Sequence, residues 1–513
     1  MKLYIQWVIV AALSIALPST AQEPRTEIPV IGETIDVRVV NVEAVVTAGS
    51  GERVRGLTAG DFRLLVDGRE VPVEYFAEVA EGKSVAAGGP AAQAPVSAGE
   101  EVGRSYLVYV DDSFSLLNRR NEVLEKLERD LTLLRPEDRM AVLAFDGSHV
   151  SVLCGWTRDA STLRGALARA RQRPATGAAM LNRQRALQDD ESFVVAGGID
   201  SGDSERVGGP KVSETEEALK SLSKRISPEA RTQLGKTAYA VAASLRGFET
   251  PTGRKVMLLL SGAWSVSSVA PRLYGPFLEA ANRLGYTVYP VDVSQSAAEE
   301  VSALDVLARA TGGRVVTSAT NETFREVVAD SGSYYWLGFT PAWKANDQGH
   351  RVTVEVRRPE LKVRSRSGFS DLSHRTETAM KAESVLLFGG AEEDHRLLLQ
   401  VGEPKQKGKV FEVPVTVGVP VEALALTPQE KGYLAEVPAA VLAEDQDGRR
   451  ADLPALRLKV LIAQPPPPKT YARFQTIVQL RDLNQRLIFT IQDPVSGHAL
   501  WDEARIAQPK PSR

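Results

Sequence analysis

Two uninterrupted apolar runs constrain this chain more than any other feature. Ser105 to Val110 (SYLVYV) and Val256 to Leu260 (VMLLL) show no alternation with charged residues, so a strand built from either must be covered on both faces. Strands of that kind belong to a parallel sheet flanked by helices. The residues around them keep the matching rhythm. Leu124, Leu127, Leu131 and Leu134 place one leucine stripe on a helix after the first run, as spacings of three and four require. Met140 to Phe145 and His149 to Leu153 read as strands around Asp146-Gly147, and a helix follows from about Ala160. Pro276 to Leu284 reads as helix, Tyr286 to Val291 as strand, and Ala297 to Ala310 as helix ended by Gly312-Gly313. Val315-Val316 is a short strand, and Asn321 caps a helix running to Ala329. The expected fold is α/β, a mostly parallel sheet with helices on both faces.

The flanks read as β structure. Thr34 to Val46 alternates at the strand period, and Phe62 to Val66 and Val71 to Phe76 flank Asp67-Gly68, a dipeptide suited to a tight hairpin turn. Tyr334 to Phe339, Arg351 to Val356 and Leu361 to Arg366 continue as antiparallel strands after the α/β region, with a polar turn at Asn346 to Gly349. Short alternating strands, such as Val413 to Val417 and Phe474 to Leu480, fill the last part of the chain. The 513 residues therefore divide into a small N-terminal β domain (22–81), a linker (82–103), the α/β domain (104–330) with an insert at 185–230, a β extension (331–370), a linker (371–383) and a C-terminal β-sandwich (384–513). Residues 1–21 have the build of a secretory signal. Lys2 is followed by the apolar Trp7 to Leu17, Pro18 and the small residues Ser19-Thr20-Ala21, a run too short to span a bilayer. The mature chain is expected outside the cytoplasm, in the periplasm or beyond the cell.

Composition removes several function classes. With 62 Lys and Arg against 65 Asp and Glu, the net charge of -3 supplies no basic field for nucleic acid. The one cysteine, Cys154, excludes an intrachain disulfide framework and thiolate metal sites, and it reads as a buried inert thiol. The five histidines are scattered without metal spacing. Ser221 to Lys224 matches the S-x-x-K pattern of serine acyl-enzymes but has no companion motif. Asp200 to Asp203 has a calcium-like composition and reads as a solvated loop. Tyr334, Tyr335 and Trp336 read as core or cross-strand aromatics, and Pro465 to Pro468 as a stiff spacer. No catalytic residue is assigned, and the chain is read as a non-enzyme.

One constellation carries chemistry. The first apolar strand runs directly into Asp111-Asp112-Ser113-Phe114-Ser115. Asp111, Ser113 and Ser115 thus emerge where ligands collect in open α/β sheets, outside the carboxyl ends of the strands. Oxygen donors of this kind suit a hard cation such as Mg²⁺. Thr237, in Gly235-Lys236-Thr237 before an apolar helical stretch, offers a further hydroxyl from a loop on the same side.

These residues resemble the von Willebrand factor A domain and its metal-ion-dependent adhesion site. More narrowly, the chain resembles exported von Willebrand A-related proteins of the acidobacterial type, through GLTAGDFRLLVDG (56–68), LRPEDRMAVLAF (134–145), GRKVMLLLS (253–261) and ATGGRVV with SYYWLGFTPA (310–342). The resemblance implies a von Willebrand A-like (Rossmann-like) sheet. It also implies Mg²⁺ held by Asp111, Ser113, Ser115 and Thr237, and a protein partner whose carboxylate completes the metal shell. One position departs from the pattern. Where such domains place an aspartate after the second apolar strand, this chain reads Ser261-Gly262-Ala263-Trp264. The site is expected to bind its ion weakly or to persist as a metal-free set of loop hydrogen bonds, with Asp112 reaching the ion through water as compensation.

Overall fold

The computed structural model describes residues 39–87, 97–179, 228–248, 253–262, 270–293, 303–317, 322–342, 344–388, 397–429, 432–445, 450–452, 456–464, 467, 469–496 and 498–506. Residues 1–21, expected to be a secretory signal, Asp200 to Asp203, Ser221 to Lys224, Asn321, expected as a helix cap, Ala263-Trp264 and nearly all of the expected insert at 185–230 lie outside them.

The first strands are β1 (Val40–Thr47), β2 (Phe62–Val66), β3 (Arg69–Val71), β4 (Tyr75–Ala80) and β5 (Lys83–Ala87). Asp67 and Gly68 both have positive φ, 50° and 79°, the geometry of the tight turn their dipeptide favours. Then come β6 (Arg104–Asp111), β7 (Arg139–Phe145), β8 (Val150–Thr157), β9 (Arg254–Ser261), β10 (Tyr286–Asp292) and β11 (Val316–Thr317). The helices among them are α1 (Leu117–Arg129), α2 (Ala160–Gln172), α3 (Pro228–Gly247), α4 (Ala270–Leu284), α5 (Ala303–Ala310) and α6 (Thr323–Gly332). Next are β12 (Tyr334–Phe339), β13 (Gly349–Val356), β14 (Lys362–Ser365), β15 (Gly368–Ser370) and α7 (His374–Phe388).

The central sheet has the order β11-β10-β9-β6-β7-β8. Every adjacent pair is parallel except β7 with β8. Counted from β6, this is the order 3-2-1-4-5-6 of a doubly wound sheet, whose switch point falls between β6 and β9. The unbroken apolar runs are explained by burial on both faces. Tyr106, Val108 and Val110 join α1, α2 and α6 in one core, while Leu107 and Tyr109 join α3, α4 and α5 in the other.

The strands before and after this sheet form one body. β1 pairs with both β12 and β14, and β2 pairs with β13. The resulting sheets, β14-β1-β12-β4-β5 and β15-β13-β2-β3, enclose a common core that includes Val42, Phe62, Leu64, Leu337 and Val354. The sequence separates 22–81 from 331–370 because alternation identifies a strand but not its partner. Part of the expected 82–103 linker is strand as well, since β5 pairs with β4.

This β unit docks on the α/β unit through Asp330 of α6. Its carboxylate accepts from Arg53 at 2.6 Å, Arg364 at 2.5 Å and Tyr289 at 2.7 Å. At the other end, the expected linker 371–383 is largely α7. One side of α7 covers a strand layer through Ala382, Val385, Leu386, Ala440, Leu442, Ile488 and Trp501. Its Glu383 accepts from Arg246 of α3 at 2.7 and 3.0 Å. The C-terminal strands form two sheets, one around Val410–Pro420 and Tyr471–Leu480, the other around Gly432–Asp445, Gln485–Gln492 and Ala499–Ile506. They share the core of Val413, Val415, Val437, Val441, Leu487 and Ile491. Among the described residues, no helix is long and apolar enough to cross a membrane.

Candidate functional site

Asp111 ends β6 at the switch point, and Ser261 ends the neighbouring β9. The parallel register brings the two together, and Ser261 Oγ donates to Asp111 Oδ2 at 2.6 Å. Asp111 Oδ1 accepts from the Ser113 backbone N–H at 3.0 Å and from Ser113 Oγ at 2.8 Å, a local turn that an aspartate two residues upstream is suited to form. Ser115 Oγ donates to the Asp111 backbone carbonyl at 2.5 Å. Three of the four residues expected at the site therefore meet at Asp111, Ser113 on its carboxylate and Ser115 on its backbone carbonyl, joined by the serine that stands where a second carboxylate was looked for.

Thr237 comes from across the crevice. It lies inside α3 rather than in a loop before it, because the helix begins at Pro228, a residue favoured at a first helical position, and continues through Gly235. The face is set by Gln233, one turn earlier, whose Nε2 donates to the Gly147 carbonyl at 3.2 Å. A β-carbon on Gly147 would meet both Gln233 Nε2, at 3.0 Å, and Ser113 Oγ, at 3.5 Å. That face of α3 thus looks toward the Asp111 loop. Thr237 is fully buried, and its Oγ1 has no hydrogen-bond partner among the described residues.

Asp112 has a different task from the one expected of it. Its Oδ1 accepts from Arg120 at 2.5 Å and its Oδ2 from Arg173 at 2.7 Å. Arg120 is fully buried and also donates to the Arg173 carbonyl at 2.7 Å. Both Asp112 oxygens are thereby committed to tying α1 and the end of α2 to the loop. Neither arginine was visible as a partner in the sequence, since Arg173 lies 61 residues from Asp112. Gly177 closes the loop from outside. A β-carbon there would lie 2.5 Å from the Ser115 carbonyl oxygen, so the position excludes any side chain.

The electrostatics follow from burial. Asp111 is completely buried, and removal from water pushes its carboxyl up to about 6, against the pull of the Ser261 and Ser113 hydrogen bonds. The site offers oxygens alone, one of them charged. Among the described residues, no group of three His, Cys, Asp or Glu is placed to hold a metal ion. Cys154 is buried and its thiol is pushed up by burial, in keeping with an inert core residue.

No family model matches the chain, and no curated protein does. Among solved structures it is similar to the SpRpn10 VWA domain, with 11% identity, 40% of this chain and 94% of that chain covered, and a TM-score of 0.17. It is also similar to bovine butyrophilin, with 10% identity, coverage of 35% and 64%, and a TM-score of 0.14. A Bacteroides uniformis beta-glucuronidase matches at 8% identity, with coverage of 35% and 19% and a TM-score of 0.16.

Proposed function

We propose that this chain is an exported, non-enzymatic interaction protein whose binding pole is a degenerate metal-ion-dependent adhesion site on a von Willebrand A-like domain. The observation that carries the reading is the placement of Asp111, Ser113, Ser115 and Ser261 together at the switch point of a 3-2-1-4-5-6 sheet, where doubly wound sheets bind ligands. The buried Thr237 hydroxyl across the crevice, without a hydrogen-bond partner among the described residues, supports it.

The residues fit a hard divalent ion in donor type. Asp111, Ser113, Ser115 and Thr237 would hold it, and a bound Mg²⁺ would supply the positive charge that attracts a partner's carboxylate. The fit is reduced in charge, because Ser261 contributes a hydroxyl in place of a carboxylate and Asp112 is held by two arginines. Weak binding follows. Without an ion, Ser113 and Ser115 fix the turn of the loop, and Gly177 lets the backbone of the next segment approach it.

A second reading, a metal-independent structural module of the cell envelope, is favoured by the same hydrogen bonds, since the loop is satisfied without an ion. Titration of MgCl₂ or MnCl₂ into the full chain, followed by calorimetry and thermal unfolding, separates the two. The interaction reading predicts weak binding that disappears in Asp111→Ala and tightens at least tenfold, about 1.4 kcal/mol, in Ser261→Asp. No heat and no thermal shift in either the wild-type chain or Ser261→Asp would leave the structural reading.

A further inference from the structure

A cavity of about 420 Å³ lies at the junction of the β unit and the α/β unit, at the end of the central sheet opposite Asp111. Its walls come from β1 and β12 on one side, and from the start of β9 and the end of α4 on the other. That volume falls in the range of small-ligand sites, which favour such junctions. Three cationic side chains line it, Lys255, Arg283 and Arg366, against one carboxylate, Glu43.

The cations are poorly compensated. Arg366 is 8% exposed, yet its guanidinium donates only to backbone carbonyls among the described residues, those of Asn282 at 2.7 Å and of Asn41. Lys255 Nζ donates to the Leu284 carbonyl at 2.7 Å. Arg283 reaches Glu279, whose side chain is largely in solvent. Glu43 stands opposite Trp336 in the β1–β12 register and makes no ion pair among the described residues. Three residues of this lining also carry a buried donor that has no hydrogen-bond partner among the described residues: Arg366 Nε, Arg283 Nε and Trp336 Nε1. A buried cation without a counter-ion is costly, and so is each unpaired donor. The cost falls on Lys255 in a visible way, since burial brings its ammonium down to about 8, the Glu43 charge opposing the shift in part and the Arg366 charge adding to it. Trp336 and Phe369 give the same space an aromatic wall.

We propose that this cavity binds a small organic anion, with a phosphate or carboxylate head on Lys255, Arg283 and Arg366 and an apolar body against Trp336 and Phe369. Such a ligand supplies the missing negative charge and contacts both units at once. The site is separate from the Asp111 pole and does not depend on the function assigned there.

The test uses the full chain and three probes, phenyl phosphate, inorganic phosphate and phenol, at ionic strength matched with NaCl. Phenyl phosphate is expected to raise the unfolding midpoint most, phosphate less and phenol not at all, as ligand binding to the native state dictates. Lys255→Gln keeps a donor for the Leu284 carbonyl and should weaken phenyl phosphate at least tenfold. Arg283→Gln should do the same, and Glu43→Gln should strengthen binding. The proposal is overturned if neither phosphate probe exceeds the NaCl control, if phenol binds as well as phenyl phosphate, or if both glutamine variants of the cations bind like the wild type.

Discussion

At the two ends of β6 sit two buried aspartate clusters built on opposite principles. At the amino end, Asp138 accepts from Arg104 through both oxygens, at 2.7 and 3.3 Å from its side chain and 2.9 Å from its backbone N–H. Arg135 adds a backbone bond at 3.1 Å. Burial pushes the Asp138 carboxyl up, but the hydrogen bonds and charge of Arg104 outweigh it and hold the group below the ordinary carboxylate range. At the carboxyl end, Asp111 meets serine hydroxyls and an N–H instead of a guanidinium, and its carboxyl is pushed up to about 6. One strand thus carries a neutralised, load-carrying end and an end whose charge is left uncompensated. The difference teaches where to look for function: the first cluster is complete without any partner, while the second lacks a positive charge.

Removing the complete cluster should have the largest effect. Asp138→Asn leaves the Arg104 guanidinium, 4% exposed, without its charge partner, and a loss of about 3–5 kcal/mol is expected in denaturant unfolding. The pH dependence sharpens the point. Because the folded Asp138 lies below its unfolded value of 3.8, its contribution is present above that pH and is lost as pH falls through the folded value. The Asn variant should lose that acid-side dependence. An unfolding curve that matches the wild type's would break the contrast between the two ends.

Asp111→Asn should act in the opposite direction. A folded pKa raised to about 6 from 3.8 gives a contribution that is present below the unfolded value and is lost as pH rises through the folded one. In chelator-treated buffer the Asn variant should therefore be more stable than the wild type at pH 7, by about 1–2 kcal/mol, with a flatter profile between pH 4 and pH 7. A variant less stable than the wild type at pH 7 would mean that the Asp111 charge is already balanced within the loop.

The smallest expected effect separates stability from binding. Thr237→Val replaces a buried hydroxyl that has no partner among the described residues by a methyl group of similar shape, so stability should rise by about 0.5–1 kcal/mol or stay level. Divalent-ion binding should weaken in the same variant. Unchanged ion binding would remove Thr237 from the site and leave Asp111, Ser113 and Ser115 to act alone.

Much of this arrangement was legible before any coordinates, for physical reasons that differ by residue. Ser105–Val110 and Val256–Leu260 could be read as central strands because double burial leaves no polar residue in the run. Asp111, Ser113 and Ser115 could be read because they lie within five residues at one strand end. Ser261 was noticed as a missing carboxylate, yet its bond to Asp111 depends on the β6–β9 register. The grip of Arg120 and Arg173 on Asp112 requires α1 and α2 to be packed first, and no local pattern encodes it. The pairing of Val40 with Phe339 was hidden for the same reason. Helix α7 was missed because it buries residues on more than one side, Ala382 and Leu386 toward a sheet and Glu383 toward Arg246, which leaves no single apolar stripe to read.

The most direct test of the Asp111 pole is a crystal structure of the full chain soaked in MnCl₂, with anomalous data. The account predicts a peak bound by oxygens of Asp111, Ser113, Ser115 and Thr237 at about 2.0–2.3 Å, with the Ser113 hydroxyl turned away from Asp111 Oδ1. Hydroxyls still directed at Asp111, and no anomalous peak in the crevice between β6 and β9, would contradict it.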